Sequence, residues 1–277
     1  MTATTAPTSP ATDVVPARRA WRVRDRGVVR SEWIKLRSVR SNVITLLAAG
    51  AVLIGFGVLF SALAGGTTNG PFDDASPDSL STAFAGMDLA QVALGVLGAL
   101  VVTSEFASGL IRAMFAAVPK RIPVLRAKAA TVGAATWIVM TVAAFVTFLA
   151  AQAVYAGDGP TYALTDDGVL RAVFGVGVYS TGVALMGVAL GFILRSTASS
   201  VATLIAGLMI VPGLAGLLPD SIGDVVTKIL PSNAGQSFTQ LTPSADMLSW
   251  GAGLAVFAAW VVGLLALAGW TLRRRDA

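Results

Sequence analysis

The sequence predicts an all-α polytopic membrane protein: six transmembrane helices, cytoplasmic N- and C-termini, an interfacial helix before span one and a cytoplasmic helix between spans two and three. Three observations predict it. The chain is too apolar for a soluble domain, with a mean hydropathy of +0.75 and 55% hydrophobic residues in 277. Six apolar stretches, about 43–64, 82–103, 128–153, 169–194, 198–218 and 249–270, each match the roughly 20 residues that cross a hydrocarbon core as a helix. Charge alternates between the gaps. Arg18, Arg19, Arg22, Arg24, Arg26, Arg30, Lys35, Arg37 and Arg40 precede span one, Arg112, Lys120, Arg121, Arg126 and Lys128 follow span two, Arg195 follows span four, and Arg273, Arg274 and Arg275 close the chain. The other gaps carry Asp73, Asp74, Asp78, Asp158, Asp166, Asp167, Asp220, Asp224 and Asp246, with only Lys228 clearly basic. Basic loops stay in the cytoplasm, and an even number of spans returns the chain to the side where it began.

Residues 1–26 read as a disordered basic tail and 27–277 as one transmembrane domain. The tail's first part is Thr, Ala, Pro and Ser with little to bury. A secretory leader is not expected, because the first apolar run follows about forty polar residues. In 27–41, Val29, Trp33, Leu36 and Val39 fall near helical spacing among basic residues, the pattern of a helix lying in the membrane interface. In 104–127, Phe106, Leu110, Met114 and Val118 recur every four residues, with Glu105 placed in the expected first turn, where the helix dipole favours an anion. Pro119 should stop this helix, and Pro123 should stiffen the return into span three. Arg195 and Ser196–Ser199 leave so little chain between spans four and five that a tight hairpin is expected. Between spans five and six, Leu217-Leu218-Pro219 and Ile229-Leu230-Pro231-Ser232-Asn233-Ala234-Gly235, with Phe238 and Leu241, are too apolar for a free loop and too short to span; they predict short re-entrant or interfacial helices. Gly187 and Gly191, with Gly182 and Ala184 nearby, and Gly95 with Gly98 predict close helix packing, more within the bundle than between chains.

Composition excludes much chemistry. The chain has no Cys and no His, so thiol nucleophiles, thiolate or His metal sites, haem ligation by His and Ser-His-Asp triads are absent. It has no G-x-x-x-x-G-K-[ST] phosphate loop. The net charge of +5 serves orientation and anionic headgroups, and no nucleic-acid partner is expected. The Gly157-Asp158-Gly159 turn is a solvated outer loop. Asp88, Arg171 and Arg195 lie near span ends, and no span carries a carboxylate near its centre, where a charge costs roughly 2.5–3.5 kcal/mol or more and is kept for function. Energy for any transport is therefore expected from outside this chain.

From residue 27 onward the chain resembles the membrane subunit of a type 2 ABC transporter, the export-type permease family. Ser31-Glu32-Trp33-Ile34-Lys35-Leu36-Arg37-Ser38 looks like that family's amphipathic helix before span one, with Trp33, Lys35 and Arg37 as its interfacial residues. Glu105-Phe106-Ala107-Ser108-Gly109-Leu110-Ile111-Arg112, then Pro119, Arg121 and Lys128, is similar to its cytoplasmic coupling segment. Leu230-Pro231-Ser232-Asn233 resembles the short outer helices, and Leu272-Arg273-Arg274-Arg275-Asp276 the closing basic tail. The resemblance implies a permease in the plasma (inner) membrane that pairs with a second permease chain, identical or not, and docks separate ATP-binding ABC subunits. Those subunits would hold the ATP; this chain would bind no cofactor or metal and would not be an enzyme. Glu105, Gly109, Arg112, Pro119, Lys120 and Arg121 would couple it to the ATPase. A path for a hydrophobic or amphipathic substrate, such as a drug, peptide or lipid, would run by Phe84, Met87, Gln91, Leu204 and Met209. The alternative is an ATP-independent secondary carrier or membrane sensor component. An intramembrane enzyme is disfavoured by the missing His and Cys and the lack of paired deep carboxylates.

Overall fold

The computed structural model describes residues 25–65, 79–111, 114, 121–155, 161–241 and 247–274. The described residues are helical and turn structure without a strand. In order they form α1 (Asp25–Ser38), α2 (Arg40–Gly65), α3 (Ser79–Ala83), α4 (Met87–Ala107), α5 (Arg121–Tyr155), α6 (Val169–Leu194), α7 (Thr197–Ile205), α8 (Val211–Ala215), α9 (Asp220–Ile229), α10 (Pro231–Gln236) and α11 (Trp250–Arg274). Six helices are long and apolar enough to cross a membrane: Arg40–Ala64, Leu80–Ala107, Arg121–Tyr155, Val169–Leu194, Thr197–Ala215 and Trp250–Arg274. They are the six spans the sequence predicts. A helix satisfies its own backbone, which lipid cannot do.

Span four (α6) is the most enclosed of the six. Its glycines explain why. A Cβ on Gly187 would run into the Gly95 carbonyl of α4, and one on Gly98 into the Ala184 carbonyl of α6. The small residues thus let α4 and α6 touch backbone to backbone inside one chain, the use that the sequence favours over dimer contacts. Outward side chains such as Ile44, Leu47, Val142, Leu149 and Val262 remain exposed, as lipid contact requires. Span five is α7 and α8 joined by a π-helical turn, Ala206–Ile210. Pro212 follows that turn; its ring cannot sit against the carbonyl one α-turn earlier, and a wider turn relieves the clash.

The predicted hairpin between spans four and five is present. Arg195 ends α6 in the left-handed region at φ 54°. Ser196 caps α7, accepting from the Ser199 amide at 3.4 Å. The Arg195 guanidinium lies 5.2 Å from the Phe106 ring centroid, and the Thr103 and Thr197 hydroxyls bond at 2.6 Å, so the hairpin is tied to the end of span two. The short helices expected between spans five and six are α9 and α10. In α10, Ala234 and Gly235 are buried, Gly235 against Tyr179 and Phe257 and the Ala234 carbonyl against Gly253 of α11. Arg171 of α6 supplies the irregular stretch that follows, donating to the carbonyls of Phe238, Gln240 and Leu241 at 3.1–3.4 Å.

One expected element differs. Span two does not give way to a new helix at residue 104. The α4 helix continues to Ala107, breaks at Gly109 with φ +71°, and turns helical again at Leu110 and Ile111. Glu105 therefore occupies a last turn, not a first one. Pro123 lies in the first turn of α5, where its missing N–H costs nothing. The expected four-turn helix over 104–127 otherwise falls largely on 112–113 and 115–120, outside the described residues, as do the tail through residue 24, Asp73, Asp74, Asp78, Asp158, Asp246, Arg275 and Asp276.

Candidate functional site

The α1 helix has no proline inside it, draws its helix formers Glu32, Lys35, Leu36 and Arg37 mainly from its second half, and Ser31 back-bonds to the Val28 carbonyl at 2.8 Å. Its buried face is Val28, Glu32 and Leu36, spaced one turn apart. That is about one residue round from the Val29–Trp33 face that hydropathy suggests, because a charged residue lies inward. Val29, Trp33, Ile34 and Val39 stay exposed and are free to lie in lipid. Only Val39 separates α1 from α2, so α1 is set directly on the bundle.

Glu32 is 2% exposed and meets Lys128 of α5, which is 1% exposed, at 2.7 Å. Lys128 also pairs with Glu105 Oε1 at 3.0 Å and donates to the Val101 carbonyl at 3.2 Å. Two of these contacts are hydrogen bonds, to Glu32 and the Val101 carbonyl, and the third is an ion pair. Lys35 pairs with Glu32 Oε1 at 2.8 Å and Glu105 Oε1 at 3.1 Å, and its third contact is the Met114 thioether at 3.1 Å, a weak acceptor. Four charges of net zero so bind α1, the end of span two and the start of span three at one point. Burial raises the Glu32 carboxyl, but Lys128 and Lys35 outweigh it and hold it below the ordinary carboxylate value. Burial pulls the Lys35 ammonium down, and Glu32 and Glu105 outweigh that and hold it above the ordinary lysine value.

The helix dipole disfavours Glu105 where it stands, since the last turn presents carbonyls. Two ammonium groups on Oε1 offset this. Its Oε2 is buried with no hydrogen-bond partner. A cleft of about 450 Å³ opens beside the junction, bordered by Glu105, Lys35, Ser41, Asn42, Ser104 and Ser108. Such a group of ion pairs carries load between elements. It has no metal-binding cluster beside it among the described residues.

The other expected site residues scatter. Gly109 makes the break after α4. Arg121 opens α5 and donates to the Leu272 carbonyl of span six at 3.1 Å, away from the junction. Trp33 and Arg37 lie on the exposed side of α1. Arg112, Pro119 and Lys120 lie outside the described residues, as far as their side chains go. Phe84, Met87, Gln91 and Leu204 are buried in the packed core, with Leu204 against Gly95, while Met209 is 44% exposed on span five. Gln91 joins a polar chain: Tyr179 donates to Gln91 Oε1, and Gln91 and Gln236 donate to Asp88 Oδ1 at 3.3 and 3.1 Å. Sequence reasoning missed the burial of Glu32 and Lys128. The available signal was that Glu32, Lys35, Glu105 and Lys128 all sit beside apolar runs on the basic side.

A comparison with known proteins finds no family model that matches the chain and no curated protein that matches it.

Proposed function

We propose that this chain is the membrane subunit of an ATP-driven exporter of the type 2 ABC class, working as a pair of permease chains with separate ATP-binding subunits on the cytoplasmic side. The observation that carries the reading is the junction of Glu32, Lys35, Glu105 and Lys128. It locks the juxtamembrane helix to the ends of spans two and three, beside the segment that would meet the ATPase. A push on that segment then moves α1, span two and span three together instead of being lost in a flexible loop. Packing of α4 directly on α6 through glycine would pass the movement to the centre of the bundle. Charged side chains of the described spans gather toward the helix ends, which suits a hydrophobic or amphipathic substrate.

The test is purification of the tagged chain from its native membrane with gentle detergent. The reading expects an ATP-binding subunit to come with it in stoichiometric amount. Recovery of the chain without any nucleotide-binding partner would favour the second reading, an ATP-independent carrier or sensor component. That second reading draws on the Asp88–Gln91–Tyr179 chain, in which Gln91 and Tyr179 are buried, since polar groups inside a span are costly and usually functional.

A further inference from the structure

We propose that the groove between spans three and six is a binding site for one anionic phospholipid. The groove has a volume of about 520 Å³. Its walls are Leu125 and Ala129 from α5 and Val262, Leu265, Ala266 and Gly269 from α11. Small side chains at Ala129, Ala266 and Gly269 leave it open. Ile122 and Arg126 of α5 and Trp270 and Arg273 of α11 complete the lining toward the basic end of the two helices, with Arg126 within the α5 wall and Arg273 the last lining residue of α11. Among the described residues no carboxylate borders it, and neither arginine forms an ion pair.

Length identifies the occupant. From Val262 to Arg273 the helix rises about 16 Å at 1.5 Å per residue, and one leaflet of a hydrocarbon core of about 30 Å is about 15 Å deep. An apolar slot about one leaflet long along α11, with two guanidiniums in its basic half that form no ion pair among the described residues, matches an acyl chain and its phosphate. Trp270 is 50% exposed at that end, the depth at which indole rings favour the headgroup region. A second protein helix would fit the apolar walls but would leave both guanidiniums without a counter-charge. Basic pockets between transmembrane helices are recognised headgroup sites. The proposal is independent of what the chain transports.

The test measures retained lipid by native mass spectrometry on the full chain released from nanodiscs of equal phosphatidylglycerol and phosphatidylcholine. Wild type should retain one phosphatidylglycerol in preference to phosphatidylcholine by about tenfold or more, each arginine near the surface contributing on the order of 1 kcal/mol. Arg126→Gln with Arg273→Gln should bring the ratio near one. Arg30→Gln with Arg37→Gln, which removes the same charge from the exposed side of α1, should leave it high. Ala266→Phe keeps every charge but fills the slot, and should lose the lipid; residue 266 is exposed, so the bundle tolerates it, as an unchanged melting temperature would show. A wild type without preference, an α1 variant that loses as much as the groove variant, or an Ala266→Phe chain that keeps the lipid would each overturn the proposal.

Discussion

Lys128 is 1% exposed and is held by Glu32, Glu105 and the Val101 carbonyl inside the fold, so its removal strands Glu32 in a dry site. Lys128→Ala is expected to destabilise the protein by about 3–5 kcal/mol, the cost of breaking a buried pair from one side, read as thermal or denaturant unfolding in detergent. Lys35, with a side chain 35% exposed, should cost much less when truncated. The pH response follows from the two groups on α1. The folded Glu32 carboxyl lies below its ordinary 4.5, so its contribution is whole above that value and is lost as pH falls through the depressed one. The folded Lys35 ammonium lies above its ordinary 10.5, so its contribution is whole below that value and is lost as pH rises past the raised one. These groups predict a flat melting temperature from about pH 6 to 9, with a decline on both sides; a maximum inside that window would contradict them. None of this was legible from hydropathy. Partners 70 to 96 residues apart carry no local signal, and charged residues at span edges read equally well as simple orientation anchors.

Two helix features carry expectations of their own. Gly109 adopts φ +71° with open space where a Cβ would go. Gly109→Ala is thus expected to cost only the left-handed backbone penalty, about 1–2 kcal/mol. Gly98 faces a carbonyl across the α4–α6 contact, and Gly98→Val should cost at least the 1–3 kcal/mol of a typical overpacked core, because backbone cannot rotate aside. A Gly98→Val chain as stable as the wild type would refute the close helix contact. Most elements were readable from the sequence because their causes are local: apolar length set the spans, the scarcity of residues around Arg195 forced the hairpin, and the small residues marked the packed face of span four. Span two ran past its predicted end because hydropathy stops at the first polar residues, whereas the helix continues wherever Thr103 and Glu105 find partners in the fold. The inward turn of Glu32 was illegible for the same reason, since its partner Lys128 lies far along the chain.

At the scale of the molecule, one end gathers α1, the start of α5, the Arg195 turn and the end of α11, and the other holds Asp88, Gln236 and the Arg171-bonded stretch. The proposed topology, read from the charge pattern, puts the first end on the cytoplasmic side. The absence of native cysteine makes this simple to check: Arg37→Cys should react with an impermeant maleimide only from the cytoplasmic side and Asp224→Cys only from the outside, and the reverse would invert the topology. The central claim is that the buried junction transmits the work of a docked ATPase to the spans. It is tested most directly by reconstituting the chain with its ATP-binding subunit and comparing ATP hydrolysis and substrate export for wild type and Glu105→Ala, with folding of the variant checked by its melting curve. The account predicts a folded variant in which the ATPase docks weakly or hydrolyses ATP without export. A folded Glu105→Ala chain that exports at the wild-type rate per ATP would contradict it.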